Sequence, residues 1–397
     1  MSDHPPSPAA FAPTSAALDA AIAAVDVQAY ARSRNHLDGS VTRLSPYITH
    51  GFTTIPQVFA RLQQEKQLTL EDKLAFEFGW REFFHHVWHH SGDAILQDMR
   101  APLPSLRYRA DLPDDIRQAR TGIAVIDRAV TTLYQTGYLH NHARMWLASY
   151  VVHLRKVHWR TGADWLLGHL LDGDLASNHL SWQWVAATFS NKPYVFNADN
   201  VARYASADWH GPSSPIDVSY AALEEIARTQ TTLEPDADLA LSGASEPLLL
   251  AQPENPLGPV QIPATARIKL IHPWMLDDAP FDGLRLGIIH LPFHRQFPWS
   301  AARWAFVLQR MRAVTDQIFT GDVHALAHLL AGAISVESTV TLNPGYGTAL
   351  ADLCTHLRDA PRQFPHPEKP CRSFSAFWAN CKAPISEGVS HRGWHRA

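Results

Sequence analysis

The chain is 397 residues long, 46% hydrophobic and 18% charged; average globular domains carry roughly 25% charged residues, so disorder as the overall state is excluded. With 34 basic against 38 acidic side chains the formal charge is −4, and no strong overall field draws the chain toward nucleic acid or an anionic membrane; only a local basic stripe would. At roughly 100–200 residues per domain, the length suits two domains or one large one.

The opening Met1-Ser2-Asp3-His4-Pro5-Pro6 lacks the basic and apolar blocks of a signal peptide, and no apolar run reaches the ~18 residues of a membrane span. Cys354, Cys371 and Cys381 are odd in number and far apart, which suits a reducing compartment and offers no iron–sulfur ligand set. A cytoplasmic protein is expected. Residues 1–14 read as a flexible, Pro/Ala-rich tail. From Ser15 onward helical periodicity takes over, with Leu18, Ile22, Val25 and Tyr30 as the first apolar row. Further helices are predicted at 55–66, 70–90, 121–137, 140–157, 161–171 and 176–188, with a short one at 216–229. Residues 15–230 therefore form a helical domain. Residues 231–266, with Glu234-Pro235, Gln252-Pro253 and Asn255-Pro256, read as a Pro-rich linker. Then the texture changes. Strands at Ile268–Leu276 and Leu284–Leu291, a helix at 299–313, a strand at Gln317–Thr320, a helix at 323–332 and a strand at 334–342 predict a small, mostly parallel α/β domain over 267–360. Residues 361–397 are left as a C-terminal extension. The fold class expected is α plus α/β.

Three segments carry chemistry. In Thr42-Arg43-Leu44-Ser45-Pro46-Tyr47, Ser45 is a candidate N-cap with Pro46 at the first helical position, and hydroxyls and free N–H groups there suit a diphosphate; an ordinary capped helix reads the same way. On helix 70–90, Glu77, Trp80, Arg81, Phe84 and Trp88 share a face, and polar groups on such a stripe need partners if buried. His85/His89 and His86/His90 have the i,i+4 spacing of metal ligands, but with 23 histidines such pairs arise by chance and no third ligand is visible, so no metal is expected. The third segment runs from Gly137 through His140-Asn141, Arg144-Met145 and Trp159 to Asp172-Gly173-Asp174-Leu175-Ala176-Ser177-Asn178 and Trp182-Gln183-Trp184. Asp172 and Asp174 are candidates for a hydrolytic acid/base pair, with Arg144 as a competing charge partner. Trp182 and Trp184 are about 200° apart on a helix, so one faces inward while the other lines an outer cavity.

Taken together and in order, Arg34-Asn35, Leu44-Ser45-Pro46-Tyr47, Trp80-Arg81-Glu82-Phe83, His140-Asn141, Arg144-Met145, the 172–178 run and Trp182-Gln183-Trp184 resemble the DNA photolyase/cryptochrome family over about 30–188. The resemblance implies a helical domain binding FAD, which carries the electron chemistry. It implies that Tyr30, Thr42, Leu44, Ser45 and Arg81 surround the diphosphate, that Arg144 and Asp172 pair beside the isoalloxazine, that Asp174 accepts from its imide edge, and that Asn178 faces the ring nitrogen N5. It implies further that Glu77, Trp80, Asn141, Met145 and Trp184 line the cavity for a flipped pyrimidine dimer, with Arg34 beside it and Asn141 also near the cofactor. Trp182 and Trp159 match the inner members of an electron-relay chain. The nearest aromatic for the outer member is Tyr108.

The departures from the family pattern are also informative. Val41-Thr42 replaces Thr-Ser, His142 replaces an arginine and Leu180-Ser181 replaces Gly-Gly; losing basic groups near the cavity weakens phosphate contacts. The resemblance begins near residue 30, so no N-terminal antenna domain is expected; Arg303-Trp304-Ala305-Phe306 and Gly321-Asp322 resemble that domain's helix and turn, so an antenna-like domain is expected on the C-terminal side, with its chromophore unspecified. Two functions follow from the resemblance: light-driven repair of cyclobutane pyrimidine dimers in UV-damaged DNA, a carbon–carbon lyase activity, or a cryptochrome-like blue-light receptor signalling through a protein partner.

Overall fold

The computed structural model describes residues 11–103, 107–211, 214–234, 243–254 and 259–382; most of the tail, a third of the linker, two short stretches of the helical part and the last fifteen residues lie outside them. The helical part opens with α1 (Ser15–Ala23), α2 (Val27–Ser33), α3 (Ser45–Thr49), α4 (Ile55–Lys66) and α5 (Lys73–Ser91). It continues with α6 (Asp114–Arg117), α7 (Ala124–Thr136), α8 (Asn141–Ser149), α9 (Trp159–His169), α10 (Leu175–Val185), α11 (Ala198–Tyr204) and α12 (Tyr220–Arg228).

Local chemistry sets several of these ends. Thr54 and Gln57 form a reciprocal capping box that starts α4 where the sequence predicts. The helix expected over 140–157 is instead two pieces, α8 and a π-helical turn at Tyr150–Leu154. The Arg155 guanidinium, paired with Asp115, donates to Tyr150 Oη at 2.9 Å directly after that turn.

Within the stretch read as linker, β1 (Leu249–Leu250) pairs antiparallel with β4 (Trp299–Ser300). The remaining strands are β2 (Arg267–Ile271), β3 (Leu284–His290), β5 (Gln317–Gly321), β6 (Ser335–Thr339) and β7 (His356–Arg358), all parallel in the order β5-β3-β2-β6-β7. Counted along the chain this is 3-2-1-4-5, a doubly wound order. The helices of this part are α13 (Leu291–Gln296), α14 (Ala301–Val314), α15 (Ala327–Leu330) and α16 (Tyr346–Leu353). Strand β7 and α16 escape the sequence reading because each is short.

One apolar cluster joins Phe11, α1 to α5, Leu175 and Leu180 of α10, and strands β2, β3, β5 and β6 of the sheet; a second gathers α7, α8, α9 and α12. Residues 361–382 dock on α5 through α17 (Phe374–Lys382). Gly79 leaves room for Trp378, whose ring a Cβ there would approach to 2.4 Å, and buried Glu82 accepts the Gln363 and Phe364 amides at 2.7 and 3.0 Å.

Candidate functional site

The turn between α9 and α10 brings Asp172 and Asp174 together, each with its own arginine. Asp174 caps α10, its Oδ1 accepting the Ser177 amide at 2.8 Å and hydroxyl at 2.5 Å. Its Oδ2 accepts from Arg81 Nη2 at 3.2 Å and His85 Nε2 at 2.9 Å, side chains one helical turn apart on α5. Burial pushes this carboxyl up, but Arg81, His85 and Ser177 outweigh it and hold it well below the usual carboxylate range. Asp172 takes Arg144 Nη2 on both oxygens, at 2.9 and 2.8 Å, and the Ser45 hydroxyl at 2.6 Å.

Ser45 therefore does not cap α3. The helix already includes it, Leu44 stands at the cap position with no side-chain bond, and the hydroxyl serves Asp172 instead. The acid/base reading of the two aspartates does not fit this arrangement, since a general acid near neutral pH needs a raised carboxyl and Asp174 is held the other way.

Around the turn, Arg144 Nε donates to Leu139 O at 2.7 Å and Thr42 Oγ1 accepts the Leu44 amide at 3.4 Å. Asn178, nearly buried, donates Nδ2 to Ala163 O at 2.8 Å. Arg34 Nε meets Glu77 Oε1 at 3.4 Å, and burial raises the Glu77 carboxyl despite that arginine. Burial and Glu77 likewise raise the Tyr30 phenol. Asn141 Nδ2 lies 3.7 Å from Met145 Sδ on α8. Trp182 is buried, its ring against Gly162, while Trp184 is 37% exposed and tilted on Tyr194 at 5.7 Å. The α10 register thus separates the two rings as the spacing predicts. Trp159 is buried with its indole N–H on Asp98 Oδ1 at 2.6 Å; His158 lies 5.7 Å from its ring and 6.3 Å from that of Tyr108.

The donor set fits an anionic dinucleotide. Arg81 Nε and Nη1 and Arg144 Nη1 have no protein partner among the described residues, and burial lowers the neighbouring His140 from 6.5 to about 4, helped by His142 and Arg144.

Residues 74–211 match the family model described as the FAD binding domain of DNA photolyase. Deoxyribodipyrimidine photo-lyase of Streptomyces griseus is 35% identical over 160 residues, covering 40% of this chain and 35% of that protein. The photo-lyase of a Synechococcus species is 31% identical over 213 residues, covering 50% and 43%. Residues 74–211 are thus similar to the FAD-binding domain of DNA photolyase.

The chain thus carries a photolyase-type FAD-binding domain, in a match that spans about a third of the length of the first of these relatives. Among solved structures, a Synechocystis cryptochrome matches at TM-score 0.44 and 22% identity over 48% of this chain and 42% of that one. A class III photolyase from Agrobacterium tumefaciens matches at 0.42 and 23%, covering 53% of each. No helix among the described residues is long and apolar enough to cross a membrane.

Two features of this photolyase-type domain escaped the sequence. His85, first noted as half of a metal-type pair, is instead a partner of Asp174. Trp80 is stacked face to face on Phe374 of α17, with centroids 4.0 Å apart and planes at 7°. The tertiary structure also supplies the third ring that the histidine pairs lacked, because His86, His90 and His366 offer ring nitrogens within 4.8 Å of one another. Yet His86 Nε2 accepts the Cys371 amide at 2.9 Å, so its neutral ring carries hydrogen on Nδ1, facing His366 Nδ1 at 3.4 Å. Arg362 adds positive charge beside the same rings. The cluster is a hydrogen-bonded joint between α5 and the C-terminal segment.

Proposed function

We propose that this protein is an FAD-dependent, light-driven enzyme that repairs cyclobutane pyrimidine dimers in UV-damaged DNA. The observation that carries this reading is the Asp172-Gly173-Asp174 turn with Arg144 on one carboxylate and Arg81 on the other. FAD, when bound, supplies light absorption and the transfer of single electrons. The open N–H groups of Arg81 suit the diphosphate, with Thr42, Leu44, Ser45 and Tyr30 around it. Arg144 and Asp172 hold a fixed pair of charges beside the ring.

Each oxygen of Asp174 already accepts two donors. An imide N–H therefore reaches it by displacing one of them, and His85, whose side chain is 38% exposed against 20% for Arg81, is the one to yield. Asn178 uses its amide N–H on Ala163 O and keeps its carbonyl oxygen for an N–H at the reactive ring nitrogen. Trp182 and Trp159 are the inner members of the relay, with Tyr108 reached through His158. Trp184 and Glu77, with Asn141, Met145, Trp80 and Arg34, receive the flipped dimer, the aromatic rings by stacking and the polar groups at the base edges. The doubly wound sheet with its Arg303-Trp304 helix serves as an antenna-like domain on the C-terminal side.

A second reading, a blue-light receptor without repair, is favoured by one observation: Phe374 already covers a face of Trp80. Purified protein reduced and illuminated with dimer-containing oligonucleotide separates the two, since restored thymines identify the lyase and photoreduction without repair identifies the receptor. Colourless protein that takes up no added FAD removes both.

A further inference from the structure

Arg303, on α14 of the α/β part, is 1% exposed, and among the described residues no carboxylate touches it. Such a cation is costly to bury unless its hydrogens find acceptors. Nε finds none, but the two terminal nitrogens find them across the boundary between the two parts of the chain: Nη1 donates to Leu167 O at 2.8 Å and Nη2 to Gly173 O at 2.6 Å. Gly173 is the residue between the two site carboxylates. A Cβ on Gly173 would lie 2.4 Å from Arg303 Nη1, so the approach needs glycine there. The guanidinium rests on the Trp299 ring at 4.0 Å. Burial pushes it down to about 9, against the pull of Asp172 and Asp174.

We infer that Arg303 is a positioning residue of the flavin pocket: by fixing the Gly173 carbonyl it sets the directions of the Asp172 and Asp174 side chains, so that the cofactor site is built jointly by the helical and α/β parts. This rests on the FAD reading above. A peptide unit held by a charge-assisted bond on its carbonyl cannot rotate without breaking that bond. The two carboxylates, which leave the chain on either side of that unit, keep their spacing for the same reason. The cation also sits behind the turn, where it favours negative charge on a bound ring.

The test uses the full chain with Arg303→Gln, Arg303→Lys, Gly173→Ala and, as a control, Trp304→Phe, whose indole donates to Leu250 O at 3.0 Å and does not touch the turn. FAD affinity, flavin midpoint potential and thermal midpoint are measured for each. Arg303→Gln is expected to weaken FAD binding about tenfold or more and to make the potential more negative, as the loss of a charge-assisted bond and a nearby cation requires. Arg303→Lys recovers part of both, and Gly173→Ala moves both in the same direction with the arginine intact. Trp304→Phe lowers the thermal midpoint alone. Should Arg303→Gln fail to fold, Gly173→Ala and Arg303→Lys decide. Wild-type affinity and potential in the folded arginine and glycine variants would overturn the inference, even with a lowered thermal midpoint. A wild-type chain that binds no FAD instead overturns the flavin reading, and the inference with it.

Discussion

At the turn between α9 and α10, charged side chains from α5 and α8 converge on two carboxylates and leave guanidinium hydrogens open. At the carboxyl edge of the parallel sheet, where doubly wound folds usually hold ligands, rings interlock instead. Trp274 meets Phe293 at 5.2 Å and Tyr346 at 5.1 Å, and Tyr346 Oη accepts the His290 amide at 2.8 Å. One region spends its buried polarity on a site for an anion, and the other spends it on closing its own crest. The contrast teaches that a ligand-binding topology does not imply a ligand; the side chains at the edge decide.

Asp174→Asn tests the contrast most severely. It strips the anion from Arg81 and His85, and removing one partner of a buried pair costs about 3–5 kcal/mol. Flavin absorbance per chain and the urea midpoint are both expected to fall. Tyr346→Phe is the counterpart in the sheet: it leaves the His290 amide without its acceptor, a loss of about 1–3 kcal/mol, with flavin content per folded chain unchanged. Equal loss of flavin in both variants would break the distinction. On the outer face of the domain, Trp184→Ala is expected to weaken dimer binding by about 1–3 kcal/mol of lost stacking while FAD stays in place, as a gel-shift titration reads.

The smallest effect concerns the joint that holds the C-terminal segment to α5. Burial lowers His86 from 6.5 to about 4 and His366 from 6.5 to about 3. The undocked segment therefore binds protons that the docked one does not. Docking is at full strength above pH 6.5 and weakens as pH falls toward 4. The hydrogen-exchange protection factors of residues 361–382, each referenced to the intrinsic exchange rate at that pH, should fall across that window, and His366→Gln should flatten the dependence. Protection factors that stay constant with pH would show that the joint does not rely on neutral rings. Because Phe374 lies on the same segment as His366, its stacking on Trp80 is expected to loosen with it.

Much of the fold lay open in the sequence. The helical pattern over 55–66 gave that helix at its observed ends, and the alternation of apolar runs with helical stretches gave the parallel sheet. The pairing of Arg144 with Asp172 was legible because both belong to recognisable motifs. The 200° separation of Trp182 and Trp184 was legible because it depends only on helical geometry. These are properties of neighbours along the chain or of words that travel together.

What the tertiary structure decided lies beyond that range. Ser45 had a local use as a cap, and only the arrival of Asp172, 127 residues away, shows that its hydroxyl goes elsewhere. His85 reaches Asp174 across 89 residues, and Arg303 reaches Gly173 across 130. Phe374 settles on Trp80 from a segment whose composition looked like an appendage. Local propensity fixes which face a helix presents, because it acts over one or two turns. Which groups meet on that face is decided by how the elements pack, and that depends on the whole core at once.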